Sequence, residues 1–423
     1  MSNIIEAKTL KGFRDFLPNE MYIRQKVIQT CRETFESYGY EPLETPVLEY
    51  EEILLGKYGE EAEHLLYRFQ DHGKRKVAMK YDLTVPACRV LAQYQNEISL
   101  PFKRYQIQPV WRAENTQKGR FREFYQCDAD TFGTKSLLAE VEYMNMAISL
   151  FSKLNFKDAI ININNRKLIE GMIYHIGADE KDFYTICIAI DKLDKIGANG
   201  IEKELNEKNI GNNIIKNLLS LLEKRSDENV LDCFENILSN SARAKEGLDE
   251  LRFIKDNVNC QDSLVFDPAI IRGLSYYTGP VWECIIPNAN IGSVGGGGRY
   301  DNLVGTYLGK PVPASGGSFG IERIMEVMKV SLDQKNLSNI SYCIVIFPEY
   351  VKMAIKVAEH IRSQGKSVLL YPDENARLQK QFKYINKKNI KYAVLVGEDE
   401  IKRNLYIIRN METGNQEEVE FEY

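Results

Sequence analysis

The chain has 423 residues, 44% of them hydrophobic and 27% charged, with a formal net charge of -5. That length allows two or three domains with a buried core, and the mild acidity excludes a chain-wide electrostatic grip on a polyanion. Any nucleic-acid contact has to come from local basic patches. Cysteines 31, 88, 127, 187, 233, 260, 284 and 343 are scattered with no C-x-x-C pair, which argues against a zinc site and a disulfide framework. The N-terminus lacks the features of a signal or transit peptide, no apolar run reaches membrane-spanning length, and the sequence predicts a cytoplasmic protein.

From Pro18 a helix is predicted, with Val27, Ile28, Cys31, Phe35 and Tyr38 at helical spacing and Gly39 as its stop. The extended YEPLETPVLEY follows, each proline pushing its predecessor toward β or polyproline geometry. This pair serves either internal packing or a dimer seam. VAMKYDLTVPACRVLAQY then reads as a strand ending near Asp82-Leu83-Thr84, a break at Pro86 and a short helix. Asp82 and Thr84 stand where helix N-caps stand, so capping competes with any substrate role.

Phe102 to Asp130 has the two-residue period of a strand hairpin. Its first half puts Tyr105, Ile107 and Trp111 on one face and Arg104, Gln106, Gln108, Arg112 and Glu114 on the other. After a polar loop, Arg120, Arg122, Phe124, Gln126, Asp128 and Asp130 share a face, opposite Phe121, Tyr125, Cys127 and Ala129. Arginine forks suit phosphates, an aromatic ring stacks on a base, and carboxylates hold an ammonium or imidazole. The competing expectation is a solvated hairpin laced with cross-strand ion pairs.

An amphipathic helix is predicted over 136–156, with Leu137, Val141, Met144, Ile148 and Phe151 inward. From about 165 to 259 the chain turns Lys/Glu/Asn-rich and helical in period after a last strand-like run, TICIAI, and reads as an inserted helical subdomain. Strand character returns at SLVFDPAIIRGLSYYTGPVWECIIPN. Gly295–Gly298 lacks the Lys-Ser/Thr of a phosphate-binding loop, and close strand-to-strand approach explains it better. Next comes a helix with Glu322 and Arg323 in its first turns. An arginine there opposes the helix dipole and calls for a partner, either a nucleotide or an internal carboxylate. After a linker at 331–341, residues 342–423 read as a compact α/β unit with a mainly parallel sheet. Its second helix has an apolar stripe of Leu378, Phe382 and Ile385, with Arg377, Lys380, Lys383, Lys387, Lys388 and Lys391 around it and no acid among them. That run is either a solvated face or an RNA contact.

Taken in order and spacing, these segments resemble the class II aminoacyl-tRNA synthetases, in their histidine-specific branch. The first helix with the strand ending at Pro46, the 102–130 hairpin with Arg-x-Glu and Arg-x-x-x-Phe, and Gly317 to Arg323 are similar to the three class signatures. RGLSYYTG, YDLTVP and GGGRYDNLVG are similar to the histidine-specific markers. The resemblance implies an α+β catalytic domain over 1–330, with a mainly antiparallel sheet and the helical insertion, followed by an anticodon-binding α/β domain over 342–423. It implies a homodimer that uses ATP and Mg2+ to make histidyl-adenylate and then charges tRNA(His). By the same resemblance Arg112 and Arg272 hold the α-phosphate and are the catalytic pair. Glu114 and Phe124 take the adenine, with Arg323 on its other face, and Arg120 and Arg122 lie toward the outer phosphates. Asp82, Thr84 and Gln126 hold the substrate ammonium, while Asp130, Tyr276 and Tyr277 read the imidazole; Arg112 and Arg272 also border the histidine. Arg377, Lys380, Lys383 and Lys387 are the expected tRNA contacts. The alternative is a non-charging paralogue that regulates ATP phosphoribosyltransferase, against which Arg112, Arg272, Arg323 and the C-terminal unit all argue.

Overall fold

The computed structural model describes residues 5–55, 64–116, 119–227, 229–271, 276–289, 291–331 and 340–422. The chain divides into two units, Met1–Asp15 with Arg24–Met328 and Phe16–Ile23 with Lys329–Tyr423. Strands of the first are β1 (Glu41–Pro42), β2 (Leu48–Tyr50), β3 (Arg68–Gln70), β4 (Lys76–Met79), β5 (Phe102–Trp111), β6 (Glu123–Phe132), β7 (Ile160–Asn165), β8 (Leu264–Phe266), β9 (Pro280–Ile285), β10 (Gly295–Arg299) and β11 (Ala314–Gly320). Those of the second are β12 (Tyr342–Ile344), β13 (Val368–Leu370), β14 (Tyr392–Leu395), β15 (Leu405–Asn410) and β16 (Gln416–Glu420).

The large sheet runs β1-β5-β6-β11-β10-β9-β7-β8. Its β1–β5 and β7–β8 pairs are parallel and the pairs between them antiparallel. β5 and β6 pair along their full length, from Phe102 opposite Phe132 to Trp111 opposite Glu123. The predicted alternation separates two different environments. On one face Tyr105 and Phe319 receive the helices Pro18–Ser37 and Leu138–Lys153. Ring centroids lie 5.6 Å apart for Phe35 and Tyr105, 6.2 Å for Phe35 and Phe319, and 5.8 Å for Tyr143 and Phe319. The opposite face is polar yet buried, with Arg104, Gln106, Gln108, Asp128 and Asp130 all out of water. The solvated-hairpin expectation is therefore wrong: a second layer, carrying Tyr81, Leu83, Val85 and Cys88, covers that face.

The glycine run is an interior strand. A Cβ on Gly297 would lie 2.1 Å from the Gly316 carbonyl oxygen and 2.5 Å from Gly317 Cα, so β10 and β11 approach more closely than any side chain permits. Arg299, at the end of that strand, grips the buried Glu140 through Nε and Nη2 at 2.8 and 2.9 Å. The 138–153 helix thus spends a core position on a carboxylate, which its apolar period did not reveal.

Local expectations fail where tertiary context overrides them. Pro86 does not break the chain but sits in the first turn of the helix Thr84–Gln93, where the backbone N–H it lacks has no intrahelical partner to lose. TICIAI is not a strand: it lies in the helix Phe183–Ile190, whose Ile186, Cys187, Ala189 and Ile190 face the core at helical spacing. In the second unit the sheet runs β13-β12-β14-β15-β16, parallel for the first three strands and antiparallel for the last three. The mainly parallel expectation is thus half right, because the two polar strands return as a hairpin that needs no crossover helix. In the helix Leu378–Lys387 it is Gln381, not Leu378, that takes the inner position beside Ile385. Gln381 Oε1 accepts from Ile346 N at 2.9 Å and Nε2 donates to Ile346 O at 2.8 Å, satisfying backbone groups just past the end of β12.

The strand contact gives a direct stability test. Gly297→Ala is expected to cost at least about 2 kcal/mol by overpacking, whereas Gly292→Ala, whose Cβ meets nothing within 4 Å, should stay within about 0.5 kcal/mol. Equal denaturation midpoints for the two variants would contradict the close-approach account.

Candidate active site

Three segments converge on the polar face of the hairpin: the Tyr81–Thr84 loop, β6 itself, and the glycine strands with Tyr276–Tyr277. Asp130 is the cross-strand partner of Arg104 on β5 and of Gly316 on β11. Its Oδ2 lies 2.5 Å from Arg104 Nη2, and its Oδ1 accepts from the Tyr300 hydroxyl. A Cβ on Gly316 would come within 2.2 Å of Asp130 Oδ1, and one on Gly298, the residue opposite it, within 2.7 Å of the Tyr277 ring. The glycines therefore clear a floor on which the carboxylate and the aromatic ring lie side by side. Tyr276 joins them, its ring 4.8 Å from Tyr277 and 5.7 Å from Tyr300.

Beside this floor, Thr84 Oγ1 approaches Asp128 Oδ2 at 3.5 Å and Gln126 Nε2 donates to Ser318 Oγ at 3.0 Å. Gln126 Oε1 is a buried acceptor without a hydrogen-bond partner, and Asp128 has the Ser318 side chain, its cross-strand neighbour, as a further partner. Asp82 stands one residue before the N-cap, Leu83, and accepts from Val85 N in the first turn of the helix at 3.1 Å. Burial pushes the Asp128 carboxyl up to about 7, against the downward pull of Arg104 and with Asp130 reinforcing the rise. Burial also raises Asp130, opposed by Arg104 and the Tyr300 hydroxyl.

Farther along the hairpin, Arg112 Nε donates to the Tyr81 carbonyl at 3.1 Å. Its guanidinium lies 4.2 Å from the Tyr81 ring centroid and 5.1 Å from that of Phe124. Glu114 stands 4.0 Å from Arg112 and 3.9 Å from Arg120, and the three side chains remain partly open to solvent. Arg122 departs from Arg120: its Nε donates to the Glu114 carbonyl at 3.1 Å and its alkyl stem lies against Gly12. Strand β6 begins at Glu123, so the alternation that put Arg120 and Arg122 on one face does not extend back to them. Arg323 donates to the Ser293 carbonyl, and its stem reaches Gly119 of the hairpin loop. The carboxylate with an arginine is instead its neighbour: Glu322 pairs with Arg24 at 2.7 Å and accepts from Tyr125 N. Arg272 lies outside the described residues.

Of the basic helix, Arg377 is the N-cap and Lys383 and Lys387 are exposed. Lys380 is 3.3 Å from Asp373, so the basic run is partly compensated from the preceding loop.

Sequence reasoning singled out neither Arg104, Asp128 and Tyr300 nor the network beneath them. Gln106 donates to Gln108 Oε1 and, at 2.8 Å, to Thr45 Oγ1. The wholly buried Lys80 donates to Gln108 Oε1 at 2.7 Å and Thr45 O at 3.1 Å, and burial lowers its pKa to about 8. The signal was available in the strand period, which puts Arg104, Gln106 and Gln108 on the face of Asp128 and Asp130.

A profile described as histidyl-tRNA synthetase matches residues 12–324, and one described as anticodon binding domain matches 338–423. Histidine–tRNA ligases of Cytophaga hutchinsonii and Flavobacterium johnsoniae are 40% and 39% identical to this chain, each over 97% of both sequences. The crystal structure of histidyl-tRNA synthetase from Nostoc sp. PCC 7120 superposes with a TM-score of 0.86 at 30% identity, covering 99% of this chain and 97% of that one. The fold, the clustered site and these likenesses over nearly the full length agree: the chain belongs to the histidyl-tRNA synthetase family.

Proposed function

We infer that the chain is a histidine–tRNA ligase: it joins histidine to ATP as histidyl-adenylate with release of pyrophosphate, then passes the histidyl group to the 3′ end of tRNA(His). The observation that carries this reading is the polar face of the β5–β6 hairpin. It sets an open arginine-and-glutamate end, Arg112, Glu114 and Arg120, beside a buried end of acceptors, Gln126, Asp128 and Asp130. A triphosphate fits the first and an amino acid with several N–H donors fits the second.

The nucleophile is the histidine carboxylate, ionised near neutral pH, so activation needs no protein base. The protein has to align the reactants and stabilise negative charge at phosphorus as pyrophosphate leaves, and a well-placed donor in a comparable oxyanion site contributes about 2.7–4 kcal/mol. We assign this to Arg112, held in place by the Tyr81 carbonyl and the two flanking rings, together with Arg272. Glu114, Phe124 and Arg323 are assigned to the adenine and Arg120 to the outer phosphates. Arg122 acts through the Glu114 carbonyl that it holds. On the amino-acid side, Asp82, Thr84 and Gln126 take the ammonium, and Asp130 with Tyr276 and Tyr277 takes the imidazole. A buried acceptor of that kind penalises side chains without a matching N–H.

Among the described residues no group of three His, Cys, Asp or Glu side chains converges to hold a metal. Mg2+ retains waters and favours phosphate oxygens, so we propose that it is bound chiefly through the phosphates of ATP. When bound it would neutralise phosphate charge. We further propose that 1–330 acts as the catalytic domain and 342–423 as the anticodon-binding domain, joined through 331–341. The anticodon-binding match over 338–423 argues against a non-charging regulatory paralogue. A homodimer is favoured by sheet β2-β4-β3, where Leu48, Tyr50 and Phe69 fall on one face by register, with Tyr50 and Phe69 50% and 47% exposed. Eight free cysteines suit a reducing cytoplasm, and among the described residues no helix is long and apolar enough to cross a membrane.

Two experiments test the division of labour. Arg112→Ala and Arg272→Ala are each expected to lower histidine-dependent ATP–pyrophosphate exchange by about 100-fold or more with unchanged Tm; near-normal exchange would remove both from the phosphate role. Reversing Lys383 and Lys387 to Glu is expected to weaken aminoacylation while sparing exchange, and equal loss in both assays would count against an RNA-contact role for that helix.

A further inference from the structure

The buried face of the hairpin holds one guanidinium for two carboxylates. Arg104 is fully buried, its Nη2 2.5 Å from Asp130 Oδ2 and 4.0 Å from Asp128 Oδ2. The same guanidinium donates to the Leu83 carbonyl at 3.2 Å and to Gln106 Oε1 at 3.3 Å. Leu83 stands between Asp82 and Thr84. One rigid plane therefore ties the loop assigned to the ammonium to the strand assigned to the imidazole.

A one-to-one structural ion pair would leave neither carboxylate short of a partner. Here two buried acids compete for a single cation, and ionising both is unfavourable. Asp130 is the better-held anion, with the guanidinium at 2.5 Å and the Tyr300 hydroxyl donating to it. Asp128, 4.0 Å from the guanidinium and with the Ser318 hydroxyl as its nearer support, is the less firmly held of the two, and burial pushes it up to about 7. The other ionisable groups around the pair include Asp82 from the loop, Cys88 from the 84–93 helix, Tyr143 from the 138–153 helix, Tyr40 beside Thr131, and Tyr276 and Tyr300 from the far wall. Burial raises Cys88 and the four tyrosines and keeps them neutral. Lys80 lies below, bonded to Gln108 and Thr45 rather than to an acid.

We propose that Arg104 is a positioning residue that sets amino-acid specificity: it holds Asp130 ionised and aimed as the imidazole acceptor, and it fixes the Asp82–Thr84 loop at the distance from Asp130 that a histidine spans. The proposal rests on the reading of Asp130 given above. Lysine cannot replace this function, since its point charge has no planar fork to hold the Leu83 carbonyl and Asp130 at once.

Arg104→Lys is expected to raise the KM for histidine in pyrophosphate exchange about tenfold or more, with the ATP KM within about twofold of wild type. The double variant R104M/D128N removes the guanidinium together with the second acid that competes for it and should show the same histidine-selective loss, so it carries the test where the single variant does not fold. Asp130→Asn separates the two claims. If it leaves the histidine KM unchanged, the imidazole assignment itself fails. If it raises that KM while both Arg104 variants stay within about twofold, the assignment stands and the role of Arg104 falls. Failure of both variants to fold, or a loss confined to kcat, would mark Arg104 as purely structural and overturn the proposal.

Discussion

The structure depends on keeping a charged strand face out of water. Arg104, Asp128 and Asp130 lie on the inner side of a sheet whose other side packs rings from two helices. Burying a guanidinium and two carboxyl groups is costly unless each is paired and hydrogen-bonded. That requirement explains the surrounding composition: Tyr300 on one carboxylate, Thr84 on the other, the Leu83 carbonyl on the guanidinium, and two glutamines passing the chain of bonds down to Lys80. Evolution could have filled this space with apolar side chains at lower electrostatic cost. A polar interior left with an unpartnered acceptor at Gln126 Oε1 and more acids than cations instead suits a ligand rich in N–H donors.

The glycines are the second constraint, and they follow from the first. Asp130 and Tyr277 lie over β11 and β10 only because Gly316 and Gly298 have no Cβ to oppose them. The same run lets β10 and β11 close to a spacing that excludes side chains at Gly297. Packing and function thus draw on two adjacent glycine-rich strands, and the sheet must be rigid there for the carboxylate and the ring to keep their relation.

Much of this was legible in the sequence because strand parity is a strong signal. It assigned the two faces of 102–130, and the resemblance to the class II synthetases brought in Asp82, Thr84, Tyr276 and Tyr277. It could not say which face was covered, since that depends on the residues around Tyr81 to Cys88 folding back over it. Parity also fails outside strands, which is why Arg122 parts from Arg120 one residue before β6 begins. Pro86 and TICIAI misled for a related reason: a proline is harmless in a helix's first turn, and β-branched residues accept a helix when its buried face rewards them. Gln381 and Glu140 occupy core positions through hydrogen bonds that no hydrophobic pattern encodes.

The central claim is that the buried acceptor face selects histidine for attachment to ATP. It is tested most directly by ATP–pyrophosphate exchange measured with each of the twenty amino acids in turn. The account predicts exchange with histidine and little above background with the others. Exchange of similar size with an amino acid that cannot donate a side-chain N–H, or none with histidine, would contradict it.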